Sequence, residues 1–284
     1  MPVSVALLGV KGGPAIKPGS NMPTSILLQA EGKNILVDAG LGVSRGICDQ
    51  GVELKDIDLI IITHLHSDHY LEFGPFFHTA WVGGLKTSIP VIGPNGLGEC
   101  WTGFNASMRF DIDLRIEDEG RCDFVSLADI SVMSEGVISE ADGVKITAML
   151  NEHPPISESY ALKIEAGGKT AVLSGDTTFI DDMVDFAKGA DLLVHEVLLE
   201  SGVDALCESL GVNDGRLKHH LMRSHTSAPD VGLIAKRAEV KTLAVNHFVP
   251  GADANIKDDD WVAAIRENWD GELVLGVDRV KLDL

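Results

Sequence analysis

The chain has no apolar run long enough to span a bilayer, no CxxC pair, no low-complexity tract and little positive charge. Each absence removes a class of protein. The N-terminal stretch PVSVALLGV is too short to cross a membrane and has no basic residue before it. It is expected to form a first strand, in a cytoplasmic protein with no membrane partner. The four cysteines, Cys48, Cys100, Cys122 and Cys207, are scattered, which argues against a disulfide framework or sulfur-ligated zinc and for reduced thiols. With 23 Lys+Arg against 43 Asp+Glu the formal charge is −20. Such a mean field repels polyanions, so nucleic acid is a disfavoured partner unless a local basic patch overrides it. Nothing divides the 284 residues, and a single domain over 1–284 is expected.

What is present is an alternation of short β-branched apolar runs with helical stretches and Gly/Pro punctuation, the pattern of an α/β protein. Two segments are similar. KNILVDAG at 33–40 is followed by DLIIITHLHSDH from 58, and KTAVLSGDT at 169–177 is followed by DLLVHEVLLE from 191. Each is a strand ending in Asp and Gly, a polar stretch, and a second buried strand ending in histidine. Two similar halves, with their polar strand ends meeting at one edge, are the expectation. Strand ends are where α/β layers place their sites.

The sharpest feature is THLHSDHY at 63–70. The run DLIIITH reads as a strand buried on both faces, so the polar cluster begins where the strand stops. His64 and His66 lie two apart and can point the same way from extended backbone, with Asp68 and His69 expected in a turn before a helical YLEFGPFFHTAW. One buried histidine is usually a satisfied core residue, but four donor side chains around one volume point to a metal. Imidazole with carboxylate suits zinc better than magnesium or calcium.

His64-x-His66-x-Asp68-His69 resembles the signature of the metallo-β-lactamase-fold hydrolases. His153 in NEHPP, Asp176 in SGDT and His247 in VNHFVP match the family's later ligands in order. The resemblance implies a four-layer αβ/βα sandwich and two divalent metal ions, with Zn²⁺ expected first and Mn²⁺ or iron as alternatives. By similarity His64, His66 and His153 hold one ion, Asp68, His69 and His247 the second, and Asp176 bridges them. The paired cations would hold a hydroxide for attack on an ester, with Asp68 catalytic. Taken alone, SGDTT reads as a turn or helix cap, and Thr177 is expected to orient Asp176 through its hydroxyl.

Further segments resemble the ribonuclease Z and arylsulfatase branch: residues 20–47, IPVIGPNGL at 89–97, HEV at 195–197, and RSHTSAPDVGLIAKRAEVKTLAVNHF at 223–248. There His225 matches the histidine beside the leaving group and is the general-acid candidate, with His195 and Glu196 as a supporting pair. The same stretch also reads as a helix start, with Ser227 or Thr226 as cap and Pro229 in the first turn. The implied activity is hydrolysis of a small phosphodiester or sulfate ester. The alternatives are a carboxylic ester, lactone or β-lactam, an RNA endonuclease, or a non-hydrolytic iron-binding redox protein.

The long basic glycine-rich arm of the ribonucleases is missing, and residues 101–142 are acidic instead. A small anionic molecule is therefore the expected substrate, and a homodimer is left open. RLKHHLMRSH at 216–225 is the one locally basic stretch, read as a solvated loop or as a lip that steers anions, with Leu221 and Met222 packing. His78 is expected to be structural, and the tail from 252 a helix entered through aspartates followed by a closing strand.

Overall fold

The computed structural model describes residues 3–251 and 255–284. Its strands are β1 Ser4–Gly9, β2 Ser25–Ala30, β3 Lys33–Val37, β4 Leu59–Ile61, β5 Ile89–Gly93, β6 Ala128–Val132 and β7 Gly136–Ala141. They continue as β8 Val144–Leu150, β9 Tyr160–Ala166, β10 Lys169–Leu173, β11 Leu192–Leu198, β12 Thr242–Val249, β13 Glu272–Leu275 and β14 Val280–Asp283. The α-helices are α1 Val43–Asp49, α2 Ser67–Tyr70, α3 Phe73–Val82, α4 Leu97–Glu119, α5 Asp181–Phe186, α6 Val203–Ser209, α7 Arg216–Ser224, α8 Ala228–Ala238 and α9 Asp258–Arg266.

Two seven-stranded sheets form, in the orders β14-β1-β2-β3-β4-β5-β6 and β13-β12-β11-β10-β9-β8-β7. In the first, β14 to β3 pair antiparallel and β3 to β6 parallel. In the second, β7 to β10 pair antiparallel and β10 to β13 parallel. The two similar sequence segments occupy equivalent places, β3–β4 and β10–β11, where each sheet changes from antiparallel to parallel.

Strand alternation explains the layers. In β4 and the residue after it, Leu59 and Ile61 belong to the cluster between the sheets, whereas Ile60 and Ile62 join Phe73, Phe77 and Trp81 of α3 under the first outer helical layer. Val5 and Leu7 face inward in the same way, and Ala6 and Leu8 outward. Both faces are covered, so the strands read as continuous apolar runs. Each fully buried Leu or Ile contributes roughly 1.5–3 kcal/mol. On the other side, α5, α8 and α9 supply Met183, Ile234 and Trp261 to the inter-sheet cluster's outer extension. The result is the four-layer αβ/βα sandwich.

The tail differs from expectation in one respect: its single closing strand is two. β13 joins the edge of one sheet and β14 the edge of the other, pairing with β1. Three aspartates do open α9, while residues 252–254 of that tail lie outside the described residues. Among the described residues no helix is long and apolar enough to cross a membrane.

Candidate metal centre and active site

The polar strand ends of both sheets meet at one edge. From the first sheet, Thr63 to His69 follow β4, with His66 extended at φ −75° and ψ 142°. Asp68 and His69 lie within the short helix α2 and not in a turn. From the second sheet come His153 after β8, Asp176 after β10 and His247 within β12. His247 is placed by a bulge. Glu196 pairs with Asn246 and Val197 with Phe248, so His247 is the extra residue, and its φ of 45° is left-handed. A bulge of this kind re-aims a side chain that the pleat would send elsewhere.

The donor atoms converge on Asp176 Oδ2. His247 Nε2 lies 3.1 Å from it, His69 Nε2 3.4 Å, His64 Nε2 3.7 Å and His153 Nε2 3.8 Å. His66 Nδ1 lies 2.9 Å from His153 Nε2 and 3.2 Å from His64 Nε2. Asp68 Oδ2 is 3.2 Å from His247 Nε2 and 3.7 Å from His69 Nε2. Three overlapping groups result, His64–His66–His153–Asp176, Asp68–His69–His247 and Asp176–His225–His247, each with ligand atoms within 4.8 Å of one another.

The outward nitrogens show how these rings are set. His69 Nδ1 donates to Asp38 Oδ2 at 2.7 Å, and His153 Nδ1 donates to the Ser224 carbonyl at 2.7 Å. Thr63 Oγ1 gives its single proton to the Asp38 carboxylate, so it accepts from His64 Nδ1 at 3.2 Å. In His64 and His153 the inward Nε2 is left with its lone pair, and His69 reaches the same state once a cation displaces the proton that its carboxylate neighbours favour on Nε2. That is the tautomer a metal needs, fixed by partners behind the ring. His69 Nε2 is buried with no hydrogen-bond partner, a costly arrangement that a cation would relieve. The donor set therefore fits a pair of divalent ions.

Electrostatics divide the rings: burial would lower His69, but Asp176, Asp38 and Asp68 raise it well above the ordinary histidine value. Burial, reinforced by neighbouring imidazoles, holds His64 well below the ordinary histidine value and His153 at about 4, against the pull of Asp176. Burial would raise both aspartates, yet His247 and His69 hold Asp176, and His69 and His247 hold Asp68, well below the usual carboxylate range. Burial would likewise lower His225, but Glu196, with Asp176 and Asp68, raises it to about 9. His225 Nδ1 donates to Glu196, 3.2 Å from each carboxylate oxygen, and its ring stacks on His247 with centroids 5.5 Å apart.

Several sequence expectations are refined. Thr177 Oγ1 donates to the Thr178 carbonyl and not to Asp176, because the chain turns away after the strand end. Glu196 supports the site, but His195, its neighbour in the strand, is sent to the opposite face and bonds the Glu196 carbonyl. Asp176 caps no helix, the next being α5 from Asp181, whereas Ser227 does cap α8 by accepting from Asp230 N–H. His78 bonds Asp111 at 2.7 Å on the outer helices. The basic stretch is largely neutralised: Arg216 pairs with Asp214 at 2.5 Å and Lys218 with Asp204 at 2.6 Å.

Sequence reasoning gave no role to Asp38, Lys11 or Gly13, and treated His220 only as part of the basic stretch. Asp38, the residue after β3, holds His69 and Thr63; its signal was a strand-end aspartate near a glycine, DAG here and GD in SGDT. Gly13 N–H donates to Asp68 Oδ2 at 2.7 Å, and the buried Lys11 ammonium donates to the Gly12 and Gly13 carbonyls. At Gly12 a Cβ would sit 2.9 Å from His247 Cε1, which explains KGGP beside the site. His220 has its ring centroid 5.9 Å from that of His66.

The family described as anti-Pycsar protein Apyc1 matches residues 3–241. Ribonuclease Z of Mycolicibacterium paratuberculosis is 30% identical over 286 residues, 99% of each chain. The chain belongs to the Apyc1 family, in the ribonuclease Z branch of the metallo-β-lactamase-fold superfamily. As a member of that branch it is a metal-dependent hydrolase. Its fold is shared with the metallo-β-lactamase-fold protein YhfI from Bacillus subtilis, at TM-score 0.75, 20% identity and full coverage of both chains. Human tRNase Z, short form, superposes at TM-score 0.66 with 19% identity over 98% of each chain.

Proposed function

We propose that the chain works as a single binuclear phosphodiesterase unit on a small anionic ester. The observation that carries this reading is the meeting of two sets of inward nitrogens at one oxygen, Asp176 Oδ2, with the His225–Glu196 pair beside them. In this reading His64, His66 and His153 would hold one ion, Asp68, His69 and His247 the other, and Asp176 would be a ligand common to both. Five imidazoles with two carboxylates favour zinc, with manganese or iron as alternatives. When bound, the ions supply an activated water and neutralise charge on the ester's anionic oxygens.

The chain's own groups do the rest. Asp68 Oδ2 is engaged by Gly13 N–H and His247, which leaves Oδ1 to accept a proton from the attacking water. His225 holds one proton on Nδ1 toward Glu196, and its Nε2–H is the proton delivered to the departing alcohol. A sulfate ester presents similar charge and geometry and remains within the reading. Carboxylic esters, lactones and β-lactams are the runner-up, since they need the same nucleophile and oxyanion support.

An RNA substrate is favoured by one observation, the ribonuclease Z relatives that match along the full chain. Against it stand the charge of −20 and the pairing of Arg216 and Lys218 with aspartates, because polynucleotide binding depends on cations free to replace counterions. The deciding experiment is one zinc-loaded preparation assayed on bis-nitrophenyl phosphate, nitrophenyl sulfate, a lactone, a β-lactam and a precursor transfer RNA. Turnover of the phosphodiester above the rest is expected. Efficient, salt-sensitive RNA cleavage would replace the small-ester reading, and lactone or β-lactam turnover alone would replace the ester class.

A further inference from the structure

Beside the metal centre lies a cavity of about 700 Å³, bounded by the loop after β1, by α6 and α7, and by Val249–Pro250. Its inner end is His66, Asp68, Asp176 and His225, and its walls include Leu206, Leu210, Leu217 and Leu221. On α7, Leu217, His220 and Leu221 are spaced i, i+3, i+4 and so share one helical face. That face is turned to the cavity. His220 therefore interrupts an apolar wall one ring outward from the ligands, its centroid 5.9 Å from His66 and 6.3 Å from His225. It belongs to none of the three groups of converging donors.

The hydrogen bonds of His220 set its tautomer. Ser224 Oγ has one proton and donates it to the Pro154 carbonyl at 2.5 Å, so it accepts from His220 Nδ1 at 3.3 Å. Nε2 is then left with a lone pair, and it has no hydrogen-bond partner among the described residues. An acceptor in a leucine-lined cavity next to a reaction centre is satisfied by a donor on whatever fills the cavity.

We infer that His220 and the leucines of α6 and α7 form a subsite for one alcohol of the substrate, and that this alcohol is ring-sized, mostly apolar and carries an O–H or N–H donor that His220 accepts. The inference rests on the phosphodiesterase reading and names the substrate class within it. His220 is a specificity residue here and takes no part in metal binding.

Symmetrical diesters test this without deciding which alcohol departs. Bis(3-hydroxyphenyl) phosphate and bis(3-methoxyphenyl) phosphate differ in a donor but scarcely in leaving ability. The hydroxy diester should be preferred in kcat/KM by roughly 5–10-fold, the worth of one hydrogen bond. In His220→Ala the preference should fall to near one, and His220→Gln should restore part of it. A second readout needs no turnover. Titrating 3-hydroxyphenyl phosphate into the zinc-loaded protein should move the methyl NMR signals of Leu206, Leu217 and Leu221, more strongly than the methoxy analogue does, and the difference should vanish in His220→Ala. Equal turnover of both diesters by the unaltered protein, or a preference that survives His220→Ala, would overturn the subsite while leaving the phosphodiesterase standing. Methyl shifts with the expected preference but no diester cleavage would sink the phosphodiesterase and keep the subsite. Silent leucine methyls would overturn the subsite outright.

Discussion

The two halves of the molecule have matching sheets but deliver their polar groups differently. The first half places His64, His66, Asp68 and His69 in one stretch of six residues, using the end of β4 and a single turn of helix. The second half spends one residue per connection: His153 after β8, Asp176 after β10, His225 before α8 and His247 at a bulge in β12. A contiguous cluster shares local geometry, so its members stand or fall together. Dispersed residues each depend on a different element, and Asp176 Oδ2 is the point where His153 and His247 meet His64 and His69 of the cluster.

The largest expected effect follows from that meeting point. Asp176→Ala removes the oxygen shared by both donor groups and leaves five inward-facing imidazoles without their common anion. Zinc content measured by elemental analysis should fall from about two per chain toward zero, and turnover by roughly 10⁴-fold or more, as for residues that act as a unit. A variant that keeps both ions would mean that the halves bind independently.

The same contrast explains what the sequence made legible. The cluster at 64–69 announces itself because four donors within six residues at a strand end have no structural excuse. Asp176, His153 and His247 are each one polar residue in a loop or strand, and only the resemblance identified them. The matching halves were readable from KNILVDAG and KTAVLSGDT, since strand-end chemistry repeats. The bulge at His247 was not, because register depends on the neighbouring strand. Asp38 and Glu196 escaped a full assignment for a related reason: their partners, His69 and His225, are 31 and 29 residues away. Lys11 and Gly13 act through a loop 55 residues from Asp68.

A smaller effect separates chemistry from binding in the second half. His225→Ala should lower turnover by roughly 10²–10⁴-fold on diesters with poor leaving groups, and far less on nitrophenyl esters, whose alcohol leaves without a proton. Its pH dependence has a definite sign. The folded His225 value is raised from 6.5 to about 9, so the stabilising pair with Glu196 is fully present below pH 6.5 and lost as pH rises through 9. Bound cations offset part of what Asp176 and Asp68 contribute. The basic limb of turnover on a poor leaving group should therefore fall between pH 6.5 and 9 and move down in Glu196→Gln. A limb unmoved by that substitution would free Glu196 from this role.

The smallest expected effect tests the first half from behind. Asp38 accepts from Thr63 N–H, Thr63 Oγ1 and His69 Nδ1. It does so from a left-handed backbone at φ 61°, which asparagine tolerates and alanine does not favour. In Asp38→Asn one carboxylate oxygen becomes an NH₂ that faces donors. If it faces His69, the imidazole must accept at Nδ1 and carry its proton on Nε2, the wrong tautomer for holding an ion. If it faces Thr63, the hydroxyl turns away and the support of His64 Nδ1 weakens. Either rotation should cost roughly 10–100-fold in metal affinity, as substitutions behind a ligating histidine do. Zinc titration against a chelator would show it, with the affinity proposed for Asp68, His69 and His247 falling first in one rotation and that proposed for His64, His66 and His153 in the other. Unchanged affinity for both ions would show that the cluster's rings are set by packing alone.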